Sequence, residues 1–383
     1  MPIALGTKNV NIPFIKAFLG EDLVYQKSPK QGVFLLYNTS NKAYYRSIDG
    51  GKHWDTIDNT PADNTATIET TENICFGNGK FVTTPEQYYF DIDEETGNGI
   101  IMDIRSCNST DGIHWEPSET DLSLLYNAGG YQRVCYGGGQ YILVSDTYNA
   151  TSPDGVVWTI SSLQESAGGV KGNGYRIVYG NNTFVTIGGG AHGTSTTAGA
   201  AWIHYSKNGY FWKKATGHST SGILSYGFND VAFGNGVFVA VGNRYAICTS
   251  TDGVNWTNKH SAGNFNIKKI TFGNGKFVAF GHYYDTYASK KKIILTSVDG
   301  ATWTETVVTD LANISEDVDL GFGGGTFIMA NEVDTSIYTR YSTDGISWSA
   351  PTLIRTDSLN QTHMGNGDIV LVYGEITVKE EEI

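Results

Sequence analysis

Along most of the chain, apolar residues alternate with polar or small ones in short runs, and clusters of Gly, Asn, Asp and Ser separate the runs. A period of two bounded by turn residues predicts short strands with one buried face. The stretch from Lys268 to Val307 shows the unit. Lys269–Phe272 and Lys276–Phe280 read as strands A and B around Gly273-Asn274-Gly275, and Ile293–Ser297 and Thr302–Val307 as strands C and D around Asp299-Gly300. Asn-Gly or Gly-Gly between alternating apolar runs is the strongest local hairpin signal, because both central residues of such a turn need positive φ. Each unit is therefore two hairpins. No apolar run approaches the ~18 residues of a membrane-spanning helix.

The unit repeats. Its C–D turn recurs seven times, first as Ser47-Ile48-Asp49-Gly50-Gly51-Lys52-His53-Trp54. Six copies one residue shorter follow, from Ser109 to Trp115, Ser152 to Trp158, Ser206 to Trp212, Ser250 to Trp256, Ser297 to Trp303 and Ser342 to Trp348, with Asn208 replacing Asp in the third of these. The A–B turn follows Phe76-Gly77, Tyr136-Gly137, Tyr179-Gly180, Phe233-Gly234, Phe272-Gly273 and Phe322-Gly323, and a further copy, Met364-Gly365-Asn366-Gly367, closes the chain. Successive block serines lie 62, 43, 54, 44, 47 and 45 residues apart. Four-stranded propeller blades repeat at about 40–50 residues. The two long intervals require insertions before strand C, at Glu86–Ile104 and Gly188–Ala201. The first block is preceded by a strand-like run, Val33–Tyr37, without a glycine hairpin, and the last hairpin has no block after it. The ends are complementary, so Gln361–Tyr373 is expected to supply inner strands to the blade begun by Gly32–Trp54, which removes free sheet edges. The expected fold is all-β: a seven-bladed β-propeller of four-stranded antiparallel blades over residues 31–375, with an N-terminal arm over 1–30 and an acidic tail over 376–383. A last hairpin standing alone would make eight blades.

The block Ser47-x-Asp49-x-Gly51-x-x-Trp54 resembles the Asp-box, a turn found in sialidases and many other β-propellers. The resemblance covers residues 31 to 375 and implies the fold. In such a turn the Asp accepts hydrogen bonds from nearby backbone N–H groups, Gly takes the left-handed position, and Trp carries a large apolar surface between sheets. Repeated this regularly, the block reads as scaffold.

In an up-and-down blade the A–B and C–D turns fall at one end, and the B–C loops and blade linkers at the other. The long segments, Glu86–Ile104, Gly188–Ala201, Gly281–Lys291 and linkers such as Glu116–Gly130 and Thr159–Gly174, therefore share the face opposite the tight turns. Function concentrates on loops held by a rigid scaffold. Aligning the repeats on the hairpin glycine gives one position at the start of each strand A: Asn73, Arg133, Arg176, Asp230, Lys269, Asp319 and Gln361. All are polar or charged. They are predicted to ring one mouth of the central channel, either as a ligand site or as a hydrated ring in which Arg133 and Arg176 pair with Asp230 and Asp319. Tyr88, Tyr89, Trp202, Tyr283 and Tyr284 collect on the same face, where they either bind a ligand such as a sugar ring or cover the insertion loops.

Composition narrows the function. The net charge of −13 and pI near 5.0 argue against nucleic acid, which needs a basic stripe. Cys75, Cys107, Cys135 and Cys248 show no paired metal spacing, so no metal or other cofactor is expected and the thiols read as reduced and partly buried. The N-terminus lacks a basic segment followed by an apolar core, so no secretory signal and no membrane insertion are expected. A sialidase requires three arginines around the substrate carboxylate, a Tyr–Glu nucleophile pair and an acidic catalyst. This chain has seven arginines in all, only Arg133 and Arg176 at the inner position, and no Arg-Ile-Pro near the first blade. The protein is therefore read as non-catalytic, with a glycoside hydrolase built on Asp230 and Asp319 as the enzymatic alternative.

Residues 1–30 lie outside the repeat. Phe14-Ile-Lys-Ala-Phe18-Leu19-Gly-Glu-Asp-Leu-Val24-Tyr25 reads as a hairpin turning at Gly20-Glu21-Asp22 and resembles an N-terminal segment of structural proteins of tailed bacteriophages. The resemblance implies a docking arm through Phe14, Phe18, Leu19, Val24 and Tyr25, attachment to other virion proteins in multiple copies, and synthesis in a bacterial host cytoplasm. The expectation is a virion surface module whose partner is a cell-surface glycan or other host receptor. A decoration or spacer protein without ligand is the alternative.

Overall fold

The computed structural model describes residues 16–19, 22–26, 30–38, 43–57, 73–84, 86–92, 99–127, 133–145, 148–162, 164–165, 174–188, 202–217, 227–260, 265–283, 291–307, 318–333, 336–356 and 369–377. Seven sheets, each of four antiparallel strands, form the blades of a ring, a seven-bladed β-propeller. Blade 6 illustrates them: Phe265–Gly273, Lys276–Tyr283, Lys292–Ser297 and Thr304–Val307 are strands A to D. The strand A of the other blades begins at Ile74 (blade 2), Arg133 (3), Gly174 (4), Phe228 (5) and Val318 (7). Blade 4 gains a parallel edge strand, Gln164–Glu165, from the preceding linker. The four cysteines are free thiols, Cys107 and Cys248 buried and Cys75 and Cys135 partly so.

Blade 1 is built from both ends of the chain. Ile369–Thr377 is its innermost strand and pairs along its whole length with Lys30–Asn38, from Lys30↔Thr377 to Asn38↔Ile369. Ala43–Ser47 and Asp55–Ile57 complete it. Closure by the two termini agrees with the sequence, but its position is corrected. The single strand Ile369–Thr377 closes the blade, running to residue 377 rather than ending at Tyr373, and Gly365-Asn366-Gly367 lies outside the described residues. No A–B turn is needed here, because strand B arrives from the other end of the chain.

The inner wall shows why seven units close. In every blade the aromatic residue near the end of strand A lies on the glycine of the preceding blade's strand A: Tyr136 on Gly77, Tyr179 on Gly137, Phe233 on Gly180, Phe272 on Gly234, Phe322 on Gly273, Tyr373 on Gly323 and Phe76 on Gly374. A Cβ at any of these glycines would meet ring carbons inside 3.0 Å. Strands that converge on an axis leave no room for two side chains, so aromatic and glycine alternate around the ring. The seventh pair is Tyr373-Gly374, not Met364-Gly365.

The turns lock neighbouring blades together. The Asn181 side-chain amide donates to Gly236 O and Thr251 O, Asn235 to Gly275 O and Val298 O, and Asn274 to Gly325 O and Thr343 O, at 2.8 to 3.0 Å. Each asparagine thus ties its own A–B turn to both turns of the next blade, which places these turns on one face. In the C–D blocks the serine hydroxyl accepts from the glycine N–H, as Gly253 N to Ser250 Oγ at 2.9 Å, and the carboxylate accepts two further N–H groups, as Val254 N and Asn255 N to Asp252 Oδ1, both 2.8 Å. Asn208 does the same with its amide oxygen, at 3.0 and 3.1 Å from Tyr210 N and Phe211 N. Burial alone would raise the Asp252 carboxyl, but the Asn255 and Val254 donors and the Ser250 hydroxyl outweigh it and hold it at about 2.

Strand A runs towards the turn face, so Thr377 and Lys30, the last and first residues of the closing pair, both lie there. The first insertion is a hairpin, Glu86–Ile92 with Gly99–Arg105, between strands B and C of blade 2. The linkers are not confined to the loop face. Glu119 N donates to Val156 O and Thr216 N to Val254 O, so the chain leaving blades 2 and 4 runs past the next blade's block.

Candidate functional site

Of the seven aligned inner positions, the structure brings Arg176, Asp230, Lys269 and Asp319 together. Asn73, Arg133, Asp230 and Asp319 are buried, and Arg176 and Lys269 are partly exposed. Gln361 lies outside the described residues. Counting three residues back from each ring aromatic gives Asn73, Arg133, Arg176, Asp230, Lys269 and Asp319, and from Tyr373 it gives Val370. The seventh position is therefore apolar. Alignment on Gly365 pointed to Gln361 because the closing strand, which is the true counterpart, carries no glycine turn.

Four of these residues form a charged network. Arg176 Nε lies 3.5 Å from Asp230 Oδ1, Arg176 Nη2 lies 3.5 Å from Asp319 Oδ1, and Lys269 Nζ lies 3.1 Å from Asp319 Oδ1. Arg176 thus links blade 4 to blades 5 and 7. The carboxylates also hold the inner strands: Ile270 N donates to Asp230 Oδ2 at 3.0 Å, and Leu371 N donates to Asp319 Oδ2 at 2.8 Å. Each aspartate therefore satisfies an N–H of a neighbouring innermost strand, which has no further strand to pair with. Burial pushes the Asp230 carboxyl up to about 6, against the lowering effect of Arg176 and the Ile270 N–H, and Asp319 adds to the rise. Asp319 is raised as well, by burial, with Arg176 opposing.

Bulges aim this ring. The A–B register shifts between Gly174 and Arg176, between Phe228 and Asp230, and between Ile267 and Lys269. One extra residue in each strand re-aims the side chain that follows it. Gly242 and Gly281 stand opposite two of these bulges, where a Cβ would meet Gly227 O and Asn266 O. The pairs Asn229-Asp230 and Lys268-Lys269 break the period of two, a signal that could have located the bulges in the sequence.

The predicted loop aromatics are spread over blades 2, 4 and 6. Trp202 starts strand C of blade 4 and stacks on His204, with ring centroids 4.5 Å apart. Tyr283 ends strand B of blade 6, and its hydroxyl donates to Glu305 at 2.7 Å. Tyr88 and Tyr89 lie on the blade 2 hairpin, opposite Asp103 and Ile101. Tyr284 lies outside the described residues. Sequence reasoning missed Tyr245, His260 and Phe265, which pack in series beside Tyr283. In the arm, Phe18 and Leu19 belong to strand Lys16–Leu19, and Val24 and Tyr25 to strand Asp22–Gln26, with Leu19↔Asp22 closing the hairpin. Phe14 lies outside the described residues. Among the described residues, no three His, Cys, Asp or Glu side chains gather in a way that could hold a metal ion.

No family model matches the chain, and no curated protein matches it. Solved structures do. A structure of YCF48 bound to D1 peptide is 14% identical, with 83% of this chain and 96% of that chain covered and a TM-score of 0.51. A protein from Lactobacillus plantarum is 9% identical, with 91% and 99% covered and a TM-score of 0.54. At these identities the likeness is one of fold: the chain is a seven-bladed β-propeller, similar in architecture to these proteins.

Proposed function

We propose that this propeller is a non-catalytic binding module on the surface of a bacteriophage particle, held by residues 1–30 and presenting its loop face to a cell-surface glycan. The observation that carries this reading is the polarity of the ring. Lys30 and Thr377 lie on the turn face, so the arm joins there, while the blade 2 hairpin and the blade 5 connection Asn243–Tyr245, both between strands B and C, lie on the other side. An anchor and a recognition surface at opposite poles suit a protein carried outward on a particle. The block that resembles the Asp-box contributes scaffold to this reading, since its serine and aspartate oxygens accept from N–H groups of its own turn.

The hydrolase alternative has less support. Asp230 and Asp319 are engaged by Arg176, Lys269 and two backbone N–H groups, an arrangement that suits a structural ring better than a freely approached carboxylate pair. Binding to an array of bacterial polysaccharides tests the main reading, and silence across it favours the spacer. Sugar release from a polysaccharide, abolished by Asp230→Asn, would replace it with the hydrolase. Deleting residues 1–30 should leave a folded ring that no longer enters particles.

A further inference from the structure

We infer that the seam between blades 5 and 6, at the loop face, is a subsite for a neutral pyranose sugar; this rests on the glycan-binding reading above and gives it a location. The starting point is a strained corner. Arg244 and Tyr245, in the connection between strands B and C of blade 5, have φ of 54° and 60°. Every other non-glycine residue with positive φ among the described residues is an asparagine, the side chain that tolerates this region best. Two successive bulky residues in the left-handed region persist only where their surroundings hold them.

The surroundings do so. Arg244 N donates to Asn266 Oδ1 at 2.9 Å, and Ala246 N to Asn243 O at 3.2 Å. Asn229 donates to Asn243 Oδ1 at 3.0 Å and to Ile267 O at 2.7 Å. The corner is thus tied to the next blade and holds Tyr245 in a series of rings. Tyr245 lies on His260 with centroids 4.5 Å apart and planes 23° apart, Phe265 follows at 4.1 Å, and Tyr283 lies 5.2 Å beyond Phe265. The Tyr283 hydroxyl is 2.7 Å from both oxygens of Glu305. Phe265 is buried; Tyr245, His260 and Tyr283 are partly exposed; Arg244 and Glu305 are exposed.

The chemistry fits a sugar. Tyr245 is held between His260 and Phe265, so the ring that accepts the C–H face of a pyranose is Tyr283, the partly exposed end of the row. The Glu305 carboxylate at the end of the row accepts hydrogen bonds from hydroxyls, and the Tyr283 hydroxyl adds a polar tip. A few polar groups beside an apolar surface fix a small ligand's orientation. Glu305, on a chain of net charge −13, disfavours an anionic sugar, which selects the neutral class.

The test is an array of bacterial O-polysaccharide fragments, both neutral and uronate-containing, read with wild-type protein and with Tyr283→Ala and Glu305→Gln. Glu305→Gln alters an exposed strand position and keeps the size of the side chain, so it reports even if Tyr283→Ala folds poorly. The expected result is wild-type binding to neutral fragments, weakened at least tenfold by each variant that folds. Wild-type binding unchanged in Glu305→Gln overturns the subsite but leaves the glycan reading standing. Binding confined to uronate fragments overturns the neutral class. Silence of the wild type across the array overturns both readings together.

Discussion

The aromatic-on-glycine ring makes a sharp prediction at Gly180. Its φ is not positive, so alanine fits the backbone, and by itself Gly→Ala should stabilise by about 0.4–1 kcal/mol through the unfolded state. Packing opposes this. A methyl at Gly180 would meet Phe233 at Cγ, Cδ1 and Cδ2 inside 3.0 Å, at the base of the ring, where rotation offers no escape. Overpacking of this kind costs about 1–3 kcal/mol. Gly180→Ala should therefore destabilise by a net ~1–2 kcal/mol. In a Phe233→Ala background the obstruction is gone, and the same substitution should become neutral or stabilising, a coupling of about 2 kcal/mol. The assay is urea unfolding of the four proteins of the cycle, followed by tryptophan fluorescence, with equal m-values as the condition for comparison. If Gly180→Ala costs as much in the Phe233→Ala background as in the wild type, steric convergence of the inner strands is not why glycine stands there.

Three further outcomes follow from the same geometry. Asn274→Gly keeps a residue suited to the left-handed turn but removes two inter-blade hydrogen bonds, and should lower stability by about 1 kcal/mol in the same urea assay; no change would mean that the latch is redundant. Asp344 is held at about 2, because the Ser347 and Ile346 N–H groups and the Ser342 hydroxyl overcome its burial, so its stabilising contribution is present above about pH 4 and lost as pH falls through about 2. Asp344→Asn keeps an acceptor oxygen, as Asn208 does naturally, and should reduce the proton uptake on acid unfolding while changing stability little at pH 7; unchanged acid sensitivity would refute this. Asp230 behaves in the opposite sense: with its carboxyl raised to about 6 by burial, its contribution is greatest below about pH 4 and declines as pH rises through 6. Its carboxyl carbon should titrate near pH 6 by NMR, and a midpoint at or below 4 would show that Arg176 dominates its surroundings.

Much of the architecture was legible because the repeat carries its own physics. Period-two runs, turn glycines and seven serine-to-tryptophan blocks determined the strands and the four-stranded unit, since each signal is local and recurs, while the choice of seven blades over eight waited on the pairing of Ile369–Thr377 with Lys30–Asn38. The alignment of the repeats also singled out Arg176, Asp230, Lys269 and Asp319, which meet in one charged network, because an alternating strand can place charge only where it meets water or a partner. The seventh inner position was lost for a physical reason: Tyr373-Gly374 joins the ring through contact with Phe76 and Gly323, while the glycine turn that marks the other copies has no place in a strand paired with the opposite end of the chain. Only the tertiary structure could decide that Arg176 reaches across to Asp319 and that Arg244 and Tyr245 hold a left-handed corner against the next blade. Those features depend on distances between residues far apart in the chain and on backbone angles that no side-chain pattern encodes.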